Sequence, residues 1–395
     1  MYHMSTIVTP GIYEDLMREF MRNQHKVFVV SPANDATKIV EESDNHAVLN
    51  VKTGQLQKSS FIKKGIATLR VPSLFTKAIK KYFAKQKFDL IIYSTPPITL
   101  VKTITYFKKR DKAKTFLLLK DIFPQNAIDI GALKTGGVKG IIYKFFRKKE
   151  RKLYNISDNI GCMSKANVDY VLANNPEISN NKMSIVPNSI EPVCVSLSEE
   201  ERIAMRDKYG IPQDKIVFVY GGNLGKPQDI PFIIECLKSQ KENEKAYFLI
   251  VGDGTEFDRL QSFIDSEKPK NVKLLKRLPR EDFDRMLAAC DVGLIFLDHR
   301  FTIPNYPSRL LSYMQAGLPV LACTDKNTDV GDDIVGGGFG WKCESDSVDK
   351  FSDKIGEICD SNLIDMGQQG IAYLNEHFTV ADTYKTIINI IGENK

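Results

Sequence analysis

"IVFVYGGNLGKPQDIPFIIECLKS", Ile216 to Ser239, passes from strand to loop to helix with no spacer. Ile216–Tyr220 is an unbroken apolar run of the length a buried strand takes. From Asp229 onward Ile230, Ile233, Ile234 and Leu237 recur at helical spacing, with Pro231 in the first turn. Between the two, Gly221, Gly222 and Gly225 let the backbone approach a ligand closely, and Lys226 adds a point charge. The glycines do not have the GxGxxG spacing, and no Lys-Ser/Thr follows as in a P-loop. A strand that feeds directly into a helix is the building unit of a parallel sheet.

The same alternation runs outward in both directions. Val27–Val30, Leu90–Tyr93, Thr115–Leu119, Asn159–Met163 and Ser184–Val186 read as strands of the first half. Tyr247–Val251, Val272–Leu275, Val292–Leu297 and Val320–Ala322 continue the second half, with helical patterns such as Phe283–Asp291 between them. The count suffices for two parallel sheets with helices on both faces. Pro187–Glu201, where prolines cluster and basic composition turns acidic, is the expected inter-domain connection. The chain opens with a loop and a helix over Tyr13–Arg22, so the first strand of the first domain is expected to be missing, reduced to a stub or upstream of Met1.

"PNYPSRLLSYMQAGLPVLA", Pro304 to Ala322, frames a short helix between prolines and a glycine. Ser308 stands where an N-cap belongs, and Arg309 in the first turn opposes the helix dipole. An anion at that end would turn Arg309 from a liability into a ligand. The glycine loop and this helix lie at the same edge of one sheet, and a diphosphate between them is the reading that uses both.

Charge divides the chain. Residues 1–190 hold 31 Lys+Arg against 15 Asp+Glu, while residues 191–395 hold 24 against 34. The basic half concentrates its charge in Phe61–Lys87 and Ile141–Tyr154, where lysines alternate with aromatic and aliphatic residues. Such segments suit an anionic membrane surface, and also the solvated faces of core-packed helices. No nucleic-acid module is visible, so no nucleic-acid partner is expected. The seven cysteines form no CxxC pair, which fits a cytoplasmic chain without zinc or a disulfide framework. His3, His25, His46, His299 and His377 show no metal-ligand spacing.

Three loops of the first half end apolar runs with polar groups. Lys120 and Asp121 follow one strand, with Gln125 shaping the loop; Ser94 and Thr95 follow another; Gly11 precedes the first helix. Asp121 reads either as a catalytic carboxylate or as a loop-closing hydrogen-bond acceptor.

"GGNLGKPQDIPFII", "IVGDGTEFDRL", "LPREDFDRMLAACDVGLI" and "PSRLLSYMQAGLPVLA", in that order, resemble the donor half of retaining GT-B glycosyltransferases of the family-four type. "GIYEDLMREF", "YSTPPIT" and "LLLKDIFPQNAIDIG" resemble its WbuB-like subgroup of capsule and O-antigen enzymes, linked to N-acetyl-L-fucosamine transfer. The resemblance spans nearly the whole chain. It implies a GT-B fold, two Rossmann-like domains facing across a cleft: an acceptor domain over 1–190, a donor domain over 191–375, and a last helix within 376–395 that crosses back.

Carried over by position, Gly222, Asn223, Lys226, Ser308, Arg309 and Leu310 would contact the diphosphate of a UDP-sugar. Arg277 and Leu278 would flank the base, and Ser312 the ribose. Lys120 and Asp121 would be the catalytic pair, with Gly11, Ser94, Thr95 and Gln125 on the acceptor side. The implied reaction needs neither metal nor cofactor. It moves a hexosyl unit with retention onto a polyprenyl-diphosphate-linked saccharide, from a peripheral position on the inner face of the cytoplasmic membrane. Two positions depart from the family: its Glu-x7-Glu pair falls on Pro304 and Ser312, and its histidine falls at or near Lys120. A GT-B epimerase of UDP-N-acetylhexosamine and an inactive scaffold of a polysaccharide complex are the alternatives, with an RNA-binding protein behind them.

Overall fold

The computed structural model describes residues 10–54, 61–193 and 195–393, in two compact units. Residues 1–191 and 379–395 make the first, and residues 192–378 the second. The expected missing strand falls on residues 1–9, outside the described residues.

The first unit opens with α1 (Ile12–Arg22), β1 (Val27–Ala33), β2 (Lys38–Glu42), β3 (His46–Lys52) and α2 (Phe61–Tyr82). β4 (Leu90–Ser94), α3 (Val101–Asp111), β5 (Lys114–Leu119), α4 (Gln125–Asp129) and α5 (Gly137–Ile156) follow, then β6 (Asn159–Cys162), α6 (Lys165–Asn174) and β7 (Met183–Ile185). The strands β4-β5-β6-β7 pair in parallel in chain order. Right-handed crossovers between successive neighbours place α3, α5 and α6 on one face of that sheet. The other face is covered by α1 and by the last helix of the chain (Val380–Glu393), whose Leu16, Phe20, Val380 and Ile387 pack with Phe116, Leu118 and Val186. Each such apolar side chain contributes roughly 1.5–3 kcal/mol by leaving water.

A second, three-stranded sheet has the order β1-β3-β2, with β2 antiparallel to β3. Neither β2 nor β3 is among the expected strands. β2 is an edge strand alternating exposed and half-buried residues, too polar to stand out from a loop. α2 packs Val71, Phe75, Ala78 and Ile79 against Leu49 and Val51.

The basic segment Ile141–Tyr154 corrects the reading of its charge. It lies in α5, and Phe146, Glu150, Leu153 and Tyr154 point inward. Arg147 belongs with them: it pairs with Glu150 and donates to Asn174 O at 2.7 Å and Asn175 Oδ1 at 2.8 Å. A carboxylate buried beside it, rather than solvent, dictates where Arg147 goes.

The second unit adds α7 (Glu199–Tyr209), β8 (Ile216–Asn223), α8 (Ile230–Ser239), β9 (Ala246–Asp253), α9 (Phe257–Glu267), β10 (Val272–Lys276) and α10 (Arg280–Ala288). It continues through β11 (Val292–Phe296), α11 (Arg309–Gln315), β12 (Val320–Thr324), α12 (Val330–Gly336), β13 (Gly340–Glu344), α13 (Val348–Cys359) and α14 (Leu363–His377); the helix at Val380–Glu393 is α15. All six strands are parallel, in the order β10-β9-β8-β11-β12-β13. Half-exposed β13, at the edge, is the strand the sequence pattern missed here. The order reverses between β8 and β11, the place where an open parallel sheet leaves a crevice at its carboxyl edge. Among the described residues no helix is long and apolar enough to cross a membrane.

Candidate functional site

β8 and β11 pair only through Val292–Phe218 and Gly293–Val219, then part. That parting strands two buried backbone groups, the Gly221 N–H and the Leu294 carbonyl. The Tyr313 hydroxyl satisfies both, accepting from Gly221 N at 3.1 Å and donating to Leu294 O at 3.0 Å. Its ring fits because position 293 is glycine: a Cβ there would stand 2.5 Å from ring carbons. The fully buried Tyr220 donates to Asn223 O at 2.7 Å. Buried Gln228 accepts from Asn223 Nδ2 at 2.9 Å and Gly225 N at 3.2 Å. The glycine loop is therefore held from beneath by three side chains.

Arg309 lies across this frame. Its guanidinium stacks over Tyr220, 4.2 Å from the ring centroid. Gly222, at φ 140°, faces it so closely that a Cβ would come within 3.1 Å of Nη2. Nη1 is buried and has no hydrogen-bond partner, and no carboxylate pairs with Arg309 among the described residues. A buried cationic donor left open in this way costs stability unless something anionic meets it. Lys226 is exposed on the same loop and has no ion pair among the described residues. The geometry thus brings Gly222, Asn223, Lys226 and Arg309 together at the switch point.

Other expected donor residues behave differently. Ser308 does not cap: its backbone is already helical and its hydroxyl accepts no cap hydrogen bond. Helical φ and ψ turn the hydroxyl away from the N–H groups it would have to reach. Leu310 is fully buried and its N–H donates to Pro307 O at 3.2 Å, so neither is available. With only seven residues, α11 has a small dipole, and the cation is left to attract an anion. Ser312 is half-buried one turn further on; Arg277 is exposed and Leu278 half-buried beyond β10, at the same carboxyl edge.

In the first unit the loop after β5 is clamped by Thr95. Its buried hydroxyl donates to Asp121 O at 2.9 Å and accepts from Lys120 N at 3.2 Å and Asp121 N at 3.3 Å. Thr95 therefore positions the loop that carries Lys120 and Asp121. The side chains of Lys120 and Asp121 diverge. Lys120 Nζ reaches Val186 O at 3.4 Å, and burial lowers its ammonium to about 7. Asp121 accepts from Asn126 Nδ2 at 2.7 and 2.8 Å, yet burial still raises its carboxyl to about 6. Both groups thus titrate near neutral pH, where proton transfer is easiest. Gly11 donates to Asp15 Oδ1 at 3.0 Å, Ser94 accepts from Tyr13 Oη at 3.1 Å, and Gln125 donates to Asp129 Oδ1 at 2.8 Å. Gln125 also lines a small cavity of about 30 Å³ with Tyr143, Arg147 and Glu150.

One group that the sequence reading did not find could gather donor atoms around a cation. Asp229, Asp298 and His299 bring ligand atoms within 4.8 Å of one another. Asp298 is already engaged by the Arg300 N–H and Nε, both at 2.9 Å, and Asp229 accepts from Phe232 N at 3.4 Å at the start of α8.

Residues 201–371 match the family of glycosyl transferases group 1. "Probable glycosyltransferase WbjE" of Pseudomonas aeruginosa is 24% identical over 375 residues, covering 93% of this chain and 90% of the relative. "Putative colanic acid biosynthesis glycosyl transferase WcaI" of Escherichia coli strain K12 is 22% identical over 282 residues, 69% of this chain and 67% of its own length. Among solved structures, sucrose-phosphate synthase of Thermosynechococcus elongatus superposes with TM-score 0.75 at 12% identity, covering 96% and 92% of the two chains. WaaG, a glycosyltransferase involved in lipopolysaccharide biosynthesis, gives 0.68 at 13% identity, covering 96% and 95%. HepE of Anabaena in complex with UDP gives 0.61 at 16% identity, covering 88% and 86%. The fold is the α/β GT-B fold with two Rossmann-like parallel-sheet domains, and the similarity to the group 1 glycosyltransferases lies in residues 201–371.

Proposed function

We propose that this glycosyltransferase moves a hexosyl unit from a UDP-sugar, with retention, onto a polyprenyl-diphosphate-linked saccharide in capsule, O-antigen or exopolysaccharide synthesis. N-acetyl-L-fucosamine is the sugar the sequence resemblance offers. The observation that carries the reading is the open Nη1 of Arg309, buried against Gly222 where the strand order reverses. A diphosphate there meets a cation that no carboxylate neutralises among the described residues and whose Nη1 is open, with Lys226 on the same loop.

In the reaction the bond from the anomeric carbon to the β-phosphate oxygen breaks, and an acceptor hydroxyl oxygen bonds the same face of that carbon. Negative charge grows on the diphosphate as it leaves. Arg309 and Lys226 stabilise that charge without needing a metal. Asp121 is the candidate to accept the hydroxyl proton and Lys120 a companion charge, on the strength of carboxyl and ammonium groups that titrate at about 6 and about 7. HepE is described in complex with UDP, which favours a UDP-linked donor. WaaG is described in lipopolysaccharide biosynthesis and WcaI in colanic acid biosynthesis, which favours a lipid-linked acceptor at the inner face of the membrane.

The test is a panel of labelled UDP-sugars incubated with the protein and bacterial membrane extract. One sugar is expected to pass into the organic-soluble lipid fraction, with the anomeric configuration of the donor in its proton NMR coupling. UDP-N-acetylhexosamine turned over without any acceptor would replace this reading with an epimerase.

A further inference from the structure

Carboxylates are missing from the outer surface of two neighbouring helices in the first unit. α3 and α5 together carry eleven lysines and arginines against two carboxylates, Asp111 and Glu150. Both carboxylates are buried and paired, Asp111 with Arg110 and Glu150 with Arg147. Lys108 reaches Asp158 and Arg151 reaches Glu177, from other elements. The seven remaining lysines have no ion pair among the described residues.

An apolar stripe runs into this charge. Val138 is 77% exposed, Ile141 70% and Phe145 42%. Spacings of three and four residues set them on one side of α5. Lys148, Lys149 and Lys152 continue the same side over the next two turns, and Lys149 Nζ lies 5.4 Å from the Phe145 ring centroid. Partial burial, then the like charges of Lys102, Lys152 and Lys148, hold the Lys149 ammonium below its usual range. Lys102 comes from α3, so the ammonium groups of two helices converge.

Single exposed apolar residues are ordinary, but a stripe of three leading into unpaired lysines is costly in water on both counts. An anionic bilayer relieves both, by taking the apolar side chains into its interfacial region and offering phosphates to the ammonium groups. A polynucleotide would answer only the charge and leave Val138 and Ile141 in water.

We propose that this side of α5 is a bilayer-docking surface, on which Val138, Ile141 and Phe145 enter an anionic membrane while Lys148, Lys149 and Lys152 hold lipid phosphates. The inference takes its purpose from the proposed lipid-linked acceptor and its chemistry from the helix surface alone. It is narrower than the basic composition of the segment: Arg147 and Phe146 take no part.

The full chain is sedimented with vesicles of phosphatidylglycerol and phosphatidylcholine, and with phosphatidylcholine alone. Binding is expected to the first only. Replacing Val138, Ile141 and Phe145 together by Ser, or Lys148, Lys149 and Lys152 together by Gln, is expected to lower partitioning at least tenfold, with melting as in the wild type. Phe145→Trp is expected to shift its emission to the blue on anionic vesicles and to be quenched by brominated lipid chains. Undiminished sedimentation of the serine variant, an unmoved Trp emission, or single-stranded RNA bound as tightly as the vesicles would overturn the proposal. A parallel titration with UDP separates the two readings. A wild type that binds UDP but no vesicle loses the docking surface and keeps the transferase; one that docks but ignores UDP does the reverse.

Discussion

Replacing Lys120 by Met should make the protein more stable at neutral pH and less active. Lys120 Nζ has one weak hydrogen bond, to Val186 O at 3.4 Å, and burial lowers its ammonium from 10.5 to about 7. In the unfolded chain the same group stays protonated up to its ordinary value, so between about pH 7 and 10.5 the unfolded state binds the extra proton. Folding stability from this group therefore rises with pH across that window and is lowest below it. At about 1.4 kcal/mol per pH unit across that window the cost is at most about 5 kcal/mol, and the half-buried position of Lys120 reduces it to about 2. Methionine keeps the length without the charge and removes that cost, less about 1 kcal/mol for the lost hydrogen bond. Urea unfolding of both proteins at pH 7 and pH 10 measures it: the variant should lead at pH 7, with the gap closing by pH 10. A variant less stable than the wild type at pH 7, or a gap that ignores pH, would refute the reasoning. Groups that cost stability where they stand are those a site keeps for its chemistry.

Three further outcomes follow from the same geometry. Arg309→Met should weaken UDP affinity about 10- to 100-fold by calorimetry, the worth of one charge-assisted contact of about 1.5–3 kcal/mol, without lowering the melting temperature of the ligand-free protein. Tyr313→Phe strands the Gly221 N–H and the Leu294 carbonyl, and should cost about 1–3 kcal/mol in urea unfolding. Asp121 has its carboxyl raised to about 6, so transfer should fall as pH drops through 6, and Asp121→Asn should abolish both the activity and that acid limb.

What could be read from the chain depended on how local each signal was. Buried strands such as Thr115–Leu119 and Tyr247–Val251 announce themselves as apolar runs, because parallel strands are covered on both faces. Half-exposed edge strands such as β2 and β13 do not, since solvent-facing polar residues interrupt their apolar ones. Glycine next to a charged residue pointed to Gly222 and Lys226, and an arginine against a helix dipole pointed to Arg309. The side chains that hold these groups were hidden, because each is polar or aromatic for a reason that only the folded neighbour supplies. Tyr313 bridges a gap between strands 92 residues distant from it in sequence at one end. Gln228 hides beneath the glycine loop, and Thr95 clamps a loop 26 residues on. Ser308 misled in the other direction: its place in the sequence fits a cap, and its backbone angles do not.

The central claim is that a nucleoside diphosphate lies against Arg309 where β8 and β11 part. Hydrogen–deuterium exchange of the full chain with and without UDP tests it most directly. Slower exchange confined to residues 220–226 and 308–314 is the outcome expected. UDP that leaves both segments unprotected, or protects residues outside the second unit instead, would contradict the account.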